Sequence, residues 1–124
     1  MVTCSGTIGR VGIASSYMDG WAASQHILRI IPNIERGHPG YIAAFLMTPY
    51  GKHQISSKIY GAVVDELTAE DTSEIWIPDA PIETQETIGD LVLQAFELKG
   101  EANSLEEETI TKLEQYLETL TTSE

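Results

Sequence analysis

The chain lacks any run of about 18 apolar residues, so no segment of its 124 residues could cross a membrane as a helix. Its first residues, Met1-Val2-Thr3-Cys4, hold no basic region followed by a long apolar stretch, which argues against a secretory signal peptide. Cys4 is the single cysteine, so no intramolecular disulfide can form. These absences predict a small cytoplasmic protein with no membrane partner.

Motifs for cofactors, metals and covalent catalysis are also missing. His26, His38 and His53 have no metal-ligand spacing among themselves or with Cys4. Neither a Gly-x-x-x-x-Gly-Lys-Ser/Thr loop nor a Gly-x-Gly-x-x-Gly fingerprint occurs. Nothing near Cys4 and Ser5 in the sequence supplies a general base, so Cys4 is predicted to be a small buried apolar residue. The sequence therefore predicts no metal, no cofactor and no catalytic centre.

Basic residues are scarce in the second half of the chain. The net charge of -12 by itself argues against a nucleic-acid-binding protein, but the charge is distributed unevenly. Residues 61–124 hold two lysines and seventeen acids, a balance of -15, whereas residues 1–60 have a balance of +3, and together these give -12. We expect the first half to tolerate a phosphate backbone and the second half to repel one. Arg10, Lys52 and Lys58 are candidate phosphate contacts, with a scattered basic surface as the alternative.

The most distinctive local pattern lies between residues 2 and 32. The loop Ser5-Gly6-Thr7-Ile8-Gly9 has two glycines three residues apart, which allows a tight turn with positive φ and the close approach of a partner. A structural turn and a loop that faces a ligand both fit this pattern. Ser24-Gln25-His26 precedes an apolar run and offers hydrogen-bonding groups suited to base edges, as glutamine is to adenine. Polar residues at the start of a strand are the alternative.

The hydrophobic pattern indicates an α+β fold: a small mixed sheet with short helices, followed by a C-terminal helical arm or hairpin. Pro39 suits the first turn of a helix, and Thr68 can cap a short helical turn. Strands are predicted over residues 2–5, 10–14, 25–31 and 75–77, and short helices after residue 38 and over residues 52–59.

Two helices are predicted to close the chain. The first covers residues 82–98 and is ended by Gly100, and the second begins at the capping-box pattern Ser104-Leu105-Glu106-Glu107. Both repeat apolar residues at 3-4-3 spacing, which is typical of a helix seam. We expect a helical hairpin or an interface with another chain along the residues Ile88, Leu91, Ala95, Leu98, Ile110, Leu113, Leu117 and Leu120.

The glycine loop, continued by Arg10, resembles a loop in the target recognition domain of type I restriction-modification specificity subunits. Four further features resemble the same family and occur in the same order. They are Ser24-Gln25-His26-Ile27 before an Arg-Ile strand, Tyr41-Ile42-Ala43-Ala44-Phe45-Leu46 followed by Pro49-Tyr50-Gly51, then Tyr60-Gly61, and last Ile75-Trp76-Ile77-Pro78 with Pro81, Gln85 and Ile88 opening a long helix.

The resemblance implies a non-catalytic subunit that binds double-stranded DNA and positions other subunits. Residues 1–81 would be the later part of one recognition domain, and residues 82–124 a helical spacer and dimerisation region. The methyltransferase subunit, the restriction subunit and a second copy of this chain are the candidate protein partners. The implied DNA contacts are Thr7, Arg10, Ser24, Gln25, His26, Lys52, Lys58 and Tyr60, and the implied structural loop positions are Ser5, Gly6, Gly9 and Gly61.

Length is the departure from the family pattern. A family recognition domain usually has a substantial segment before the glycine loop, which here begins at Ser5. The resemblance therefore implies a truncated or split subunit, or a cloned fragment. An alternative is a protein-interaction remnant that keeps the helices but has lost DNA binding. An independent enzyme would need a nucleophile and a base that the sequence does not reveal.

Overall fold

The computed structural model describes residues 1–59 and 66–122 and has an α+β fold, as the sequence predicts. Tyr60 and Gly61, two of the expected site residues, lie outside the described residues. No helix in the described ranges is both long enough and apolar enough to span a membrane. The elements in chain order are β1 (Val2–Thr3), a 3-10 turn (Ser16–Met18), β2 (Ile27–Leu28), α1 (Pro39–Met47), α2 (Pro49–Ile59), α3 (Ala69–Ser73) and α4 (Ile82–Thr122).

The described sheet has two antiparallel strands, with Val2 opposite Leu28 and Thr3 opposite Ile27. The strand predicted over residues 10–14 is reduced to a single bridge between Val2 and Val11. The strand predicted over residues 25–31 ends at Leu28, because its partner β1 is only two residues long. Ile31, the last residue of the predicted strand, is 87% exposed.

The prediction of a strand over residues 75–77 is also wrong. The backbone of Trp76 has no strand partner in the described sheet and pairs instead with the side-chain amide of Gln54 on α2. The N–H of Trp76 donates to Gln54 Oε1 at 2.8 Å, and Gln54 Nε2 donates to the Trp76 carbonyl at 2.8 Å. One side chain thus satisfies both backbone groups that a ladder would have used.

Cys4 connects the strands to the core. It is 3% exposed and clusters with the buried side chains of Val2, Leu46, Ile55 and Leu67, which confirms its predicted burial. Its N–H donates to the His26 carbonyl at 2.8 Å, and its carbonyl accepts from the Leu67 N–H at 2.9 Å. The residues that flank Cys4 are therefore fixed in position beside the segment that precedes β2.

The caps of the short helices follow from local sequence. Pro39 occupies the first turn of α1, as predicted, and Thr68 and Asp71 form a complete capping box at α3. The predicted start of the second helix at Lys52 is wrong, since α2 begins at Pro49. Thr48 alone separates α1 from α2, and its hydroxyl accepts from the backbone N–H of Gly51 at 3.3 Å.

Helix α4 meets α1 in backbone contact. A Cβ atom added to Gly89 would lie 2.1 Å from Nδ1 of His38, and one added to Gly40 would lie 2.2 Å from the Gly89 carbonyl oxygen. Gln85, which is 4% exposed, accepts from the His38 N–H at 3.1 Å and donates to the Ala80 carbonyl at 2.8 Å. These close contacts attach the start of α4 to the start of α1.

The two helices predicted at the C-terminus are a single helix of 41 residues, about 60 Å long. Gly100 does not end a helix. It is buried inside α4, where an added Cβ would lie 2.9 Å from Cβ of Tyr17 and 3.0 Å from Oγ of Ser15. Ser104 likewise lies within the helix and caps nothing. The missing side chain of Gly100 therefore allows the 3-10 turn to pack closely against α4. Because α4 is one continuous helix, the C-terminal region forms the predicted arm rather than a hairpin.

The C-terminal half of α4 projects from the rest of the protein. Every residue from 101 to 122 is exposed. The last links to the body come from the 3-10 turn: Ser16 donates to the Glu97 carboxylate at 2.7 Å from its hydroxyl and 3.1 Å from its N–H, and the Tyr17 hydroxyl donates to Glu107. The two hydrogen bonds from Ser16 hold the pKa of Glu97 below its ordinary value of 4.5.

The contact at Gly89 gives the first prediction. Gly89→Ala should reduce the free energy of unfolding by about 1–3 kcal/mol, because displacement of His38 costs more than the helix propensity gained from alanine. Urea denaturation measures the change. Gly12→Ala is the matched control, since its Cβ would meet nothing nearer than 3.9 Å and its φ is not positive. Equal stability of the two variants would contradict the close packing.

The Glu97 contact gives a prediction of pH dependence. The pKa of Glu97 is lower in the folded protein than in the unfolded chain, so the unfolded chain binds the proton of this carboxyl group more tightly. The contribution of Glu97 to stability is therefore complete above pH 4.5, and it is lost as the pH falls through the pKa of the folded state. Wild type should therefore be more stable than Glu97→Gln at neutral pH, and the difference should shrink below pH 4.5. Urea denaturation across pH checks this, and a difference that does not change with pH would contradict it.

Candidate nucleic-acid interface

The glycine loop is a closed turn between residues 3 and 10. Gly6 and Gly9 both have positive φ, 69° and 89°, so the predicted need for glycine at these positions is confirmed. The Thr3 N–H donates to the Arg10 carbonyl at 3.0 Å, and the Gly9 N–H donates to the Thr3 carbonyl at 2.9 Å. The turn leaves Thr7 and Arg10 exposed.

The segment Ser24-Gln25-His26 lies directly beside this loop. The Ser5 hydroxyl is hydrogen-bonded to Nδ1 of His26, and the Cys4 thiol lies 3.6 Å from the Gln25 carbonyl as a weak donor. The side chains of Ser24, Gln25 and His26 are all exposed. We call Ser5, Thr7, Ser24, Gln25 and His26 the polar patch. Two stretches about twenty residues apart in sequence thus form one surface.

Sequence reasoning missed the contact between Ser5 and His26. The signal that could have found it is the strand register, because Cys4 pairs with His26 when Thr3 pairs with Ile27. The pair has the residue types of a nucleophile and a base, but no carboxylate of the described residues contacts the other ring nitrogen of His26. The polar patch is an open surface with hydroxyl, amide and imidazole groups that donate or accept hydrogen bonds.

A cleft of about 490 Å³ adjoins the loop and contains two of the candidate basic residues. Arg10 lines it from the end of the glycine loop, and Lys52 and Ser56 line it from α2. The loop is in contact with α2, since a Cβ on Gly9 would lie 3.4 Å from Cγ2 of Ile55. Arg10 and Lys52 are exposed, and neither forms an ion pair with another residue of the ranges 1–59 and 66–122. We call this the basic cleft.

Lys58, the third candidate phosphate contact, is placed differently. Its ammonium group forms an ion pair with Glu74, and it lines a separate cleft with Trp76. Trp76 is 83% exposed. Since a paired ammonium group offers less net charge to a phosphate, Arg10 and Lys52 are the stronger candidates.

A larger cleft of about 860 Å³ lies between β2, α1 and the residues that follow Val11. Most of its lining is apolar, and Arg29 and Ser24 also contribute to it. Trp21 lies at this cleft, 62% exposed, with its ring edge-on to Tyr17 at 5.1 Å. Only Ser24 belongs to both this cleft and the polar patch.

The residues predicted as a protein interface all lie on exposed positions of α4. The buried positions of the helix are Gln85, Gly89 and Gly100, which lie on a different face. At about 100° per residue, Ile88, Leu91, Ala95 and Leu98 share a face with Leu113, Leu117 and Leu120, with Ile110 at its margin. Exposed Leu105 and Tyr116 extend this face. We call it the apolar face of α4.

Comparison with protein-family models, with curated proteins and with solved structures finds no match for this chain. In the described parts of the chain, no three His, Cys, Asp or Glu side chains are grouped so that they could hold a metal ion. The polar patch, the basic cleft and the apolar face of α4 are therefore the surfaces from which a function is inferred.

Proposed function

We propose that the chain is the DNA-specificity module of a type I restriction-modification system, a non-catalytic protein of the cytoplasm. The observation that carries the proposal is that the polar patch includes Ser5 and Thr7 of the loop that continues into Arg10, with Ser5 bonded to His26. Hydroxyl, amide and imidazole groups suit base edges, and guanidinium and ammonium groups suit phosphates. A surface with both kinds of group next to each other matches the division of tasks in protein–DNA recognition.

The distribution of charge supports the same proposal. The polar patch and the basic cleft belong to residues 1–59, which contain only two acids, Asp19 and Glu35. The projecting half of α4 contains Glu101, Glu106, Glu107, Glu108, Glu114 and Glu118 with a single lysine, Lys112. A phosphate backbone is attracted to the first region and repelled by the second, so a bound duplex is oriented away from the arm.

This proposal predicts duplex binding that weakens steeply with added salt, because phosphate contacts release counterions. Arg10→Ala and Lys52→Ala should each weaken binding to a random-sequence duplex and reduce the slope of log K against log salt by about 1. Fluorescence anisotropy with a labelled duplex at several salt concentrations measures both quantities.

Lys112→Ala is the matched control, since it removes the same charge from the arm, where Lys112 pairs with Glu108. It should leave DNA affinity unchanged. Lys58→Ala should have a smaller effect than Lys52→Ala, because Lys58 is paired with Glu74. Wild-type protein that shows no binding even at low salt would contradict the proposal.

A second function is favoured by the apolar face of α4. On the projecting half of α4, four large apolar side chains of one face are each 50% or more exposed: Ile110, Leu113, Tyr116 and Leu117. A contiguous exposed apolar surface of this kind indicates a protein–protein interface. The alternative is therefore a protein-interaction remnant that binds a methyltransferase subunit or a second copy of itself without binding DNA. In the leading proposal the same face serves the same protein partners, with DNA bound elsewhere.

The apolar face gives a prediction for self-association. Wild type should form a dimer, and Leu113→Glu should shift the chain to monomer because a carboxylate on this face would be buried in the interface. Sedimentation velocity measures the mass of each species. Thr111→Glu is the matched control, since it adds the same charge two residues away on another face of the helix. A wild-type chain that is monomeric and does not bind a methyltransferase subunit would contradict the assignment of the apolar face of α4 as an interface.

A further inference from the structure

Helix α2 presents a polar surface that extends beyond the basic cleft. Its eleven residues contain no Asp or Glu, and its exposed residues are Pro49, Tyr50, Lys52, His53, Ser56 and Ser57. Tyr50 is 76% exposed. All of these except Pro49 carry side-chain hydrogen-bonding groups, and Lys52 adds a positive charge.

The exposed residues form two parallel rows on the helix. At about 100° per residue, Tyr50, His53 and Ser57 follow one another at the i, i+3, i+7 spacing of a single ridge. Lys52 and Ser56 form the neighbouring row, which is the row that lines the basic cleft opposite Arg10. One row can therefore face the phosphates while the other faces a groove.

Helix α2 is held rigidly on its opposite side. Gly51 and Ile55 are buried, and the glycine loop contacts Ile55 through Gly9. Gln54 is bonded at both ends of its amide to the backbone of Trp76. A helix fixed in this way presents its outer side chains in a defined geometry, which sequence readout requires.

Dimensions and charge favour a DNA groove over another protein as the partner of this surface. An α-helix fits the major groove of B-form DNA, which is about 12 Å wide, and α2 is about 16 Å long. The other helices with polar faces, α3 and α4, carry acids on them, whereas residues 39–59 contain none. A protein partner would require apolar area, and the ridge offers Tyr50 alone.

We infer that α2 enters the major groove and that Tyr50, His53 and Ser57 read base edges there, while Lys52 contacts the phosphate backbone beside Arg10. This inference rests on the proposed DNA-binding function and adds a second reading element to the polar patch. His53 and Ser57 determine part of the recognised sequence, and Lys52 determines affinity without regard to sequence.

The experiment begins with selection from a pool of randomised duplex DNA by the wild-type chain. Binding of the selected duplex and of a scrambled duplex is then measured for wild type and for a His53→Ala/Ser57→Ala double variant. The ratio of the two affinities should fall about tenfold or more in the double variant, while affinity for the scrambled duplex changes little. Lys52→Ala should weaken both duplexes equally.

One conservative variant and two control variants complete the test. His53→Gln keeps a hydrogen-bonding side chain, so repeated selection should change the preferred base at one position rather than abolish selection. Ser73→Ala and Ser104→Ala, on exposed positions of α3 and α4, are controls that should preserve the ratio and the selected sequence. Circular dichroism verifies that every variant retains the helical content of wild type.

The outcomes separate this inference from the proposed function. If wild type selects a sequence and the double variant selects the same sequence with the same ratio, α2 does not read bases, although the chain still binds DNA. A uniform loss of affinity in the double variant would equally overturn base reading, since it indicates backbone contact alone. If wild type binds no duplex, the proposed function and this inference both fail.

Discussion

The contact between the start of α4 and the start of α1 is the constraint on which the rest of the structure depends. Gly89 allows the two backbones to approach closely. Buried Gln85 accepts a hydrogen bond from the His38 N–H and donates one to the Ala80 carbonyl, which this approach would otherwise leave without a hydrogen-bond partner. His38 completes the joint, with Nδ1 accepting from the Gly40 N–H and Nε2 bonded to Asp90 at 2.9 Å. This contact and the contacts of the 3-10 turn with Gly100 and Glu97 together fix the direction of the 41-residue helix relative to the body.

The joint explains how the chain keeps two unlike surfaces apart. The first turns of α4 lie against α1, the helix then passes the 3-10 turn at Gly100, and the acidic remainder projects outward. The body keeps the polar patch, the basic cleft and the outer face of α2. In our proposal, DNA is read on the body and protein partners bind the arm, so one rigid helix sets the distance between them.

Features with a local cause were predictable from the sequence. Pro39 at a helix start, the Thr68 capping box and the positive φ of Gly6 and Gly9 each depend on a residue and its near neighbours, and each is confirmed. The burial of Cys4 was predictable because no nearby residue indicates a catalytic or metal-binding role for its thiol, and Cys4 is buried in the structure.

Features decided by distant residues were not predictable in this way. Gly100 resembles a helix terminator in sequence, yet its role is set by Ser15 and Tyr17, more than eighty residues earlier. Ile31 has the apolar side chain of a core residue, but it lies beyond the end of β2 and is exposed. The side chain of Gln54 forms the hydrogen bonds with the Trp76 backbone that a neighbouring strand would have formed. The candidate site shows the same division. Its residues could be named from the sequence, whereas the meeting of Ser5 with His26, and of Arg10 with Lys52 across a cleft, required the register of β1 with β2 and the position of α2.

The most direct test of the account is amide hydrogen exchange of the whole chain with and without a random-sequence duplex at low salt. If the body binds DNA, exchange should be slower in the glycine loop, at residues 24–26 and along α2 when DNA is present, with no change in residues 101–122. Slower exchange confined to the arm, or no change anywhere, would contradict the claim that the body of this protein binds DNA.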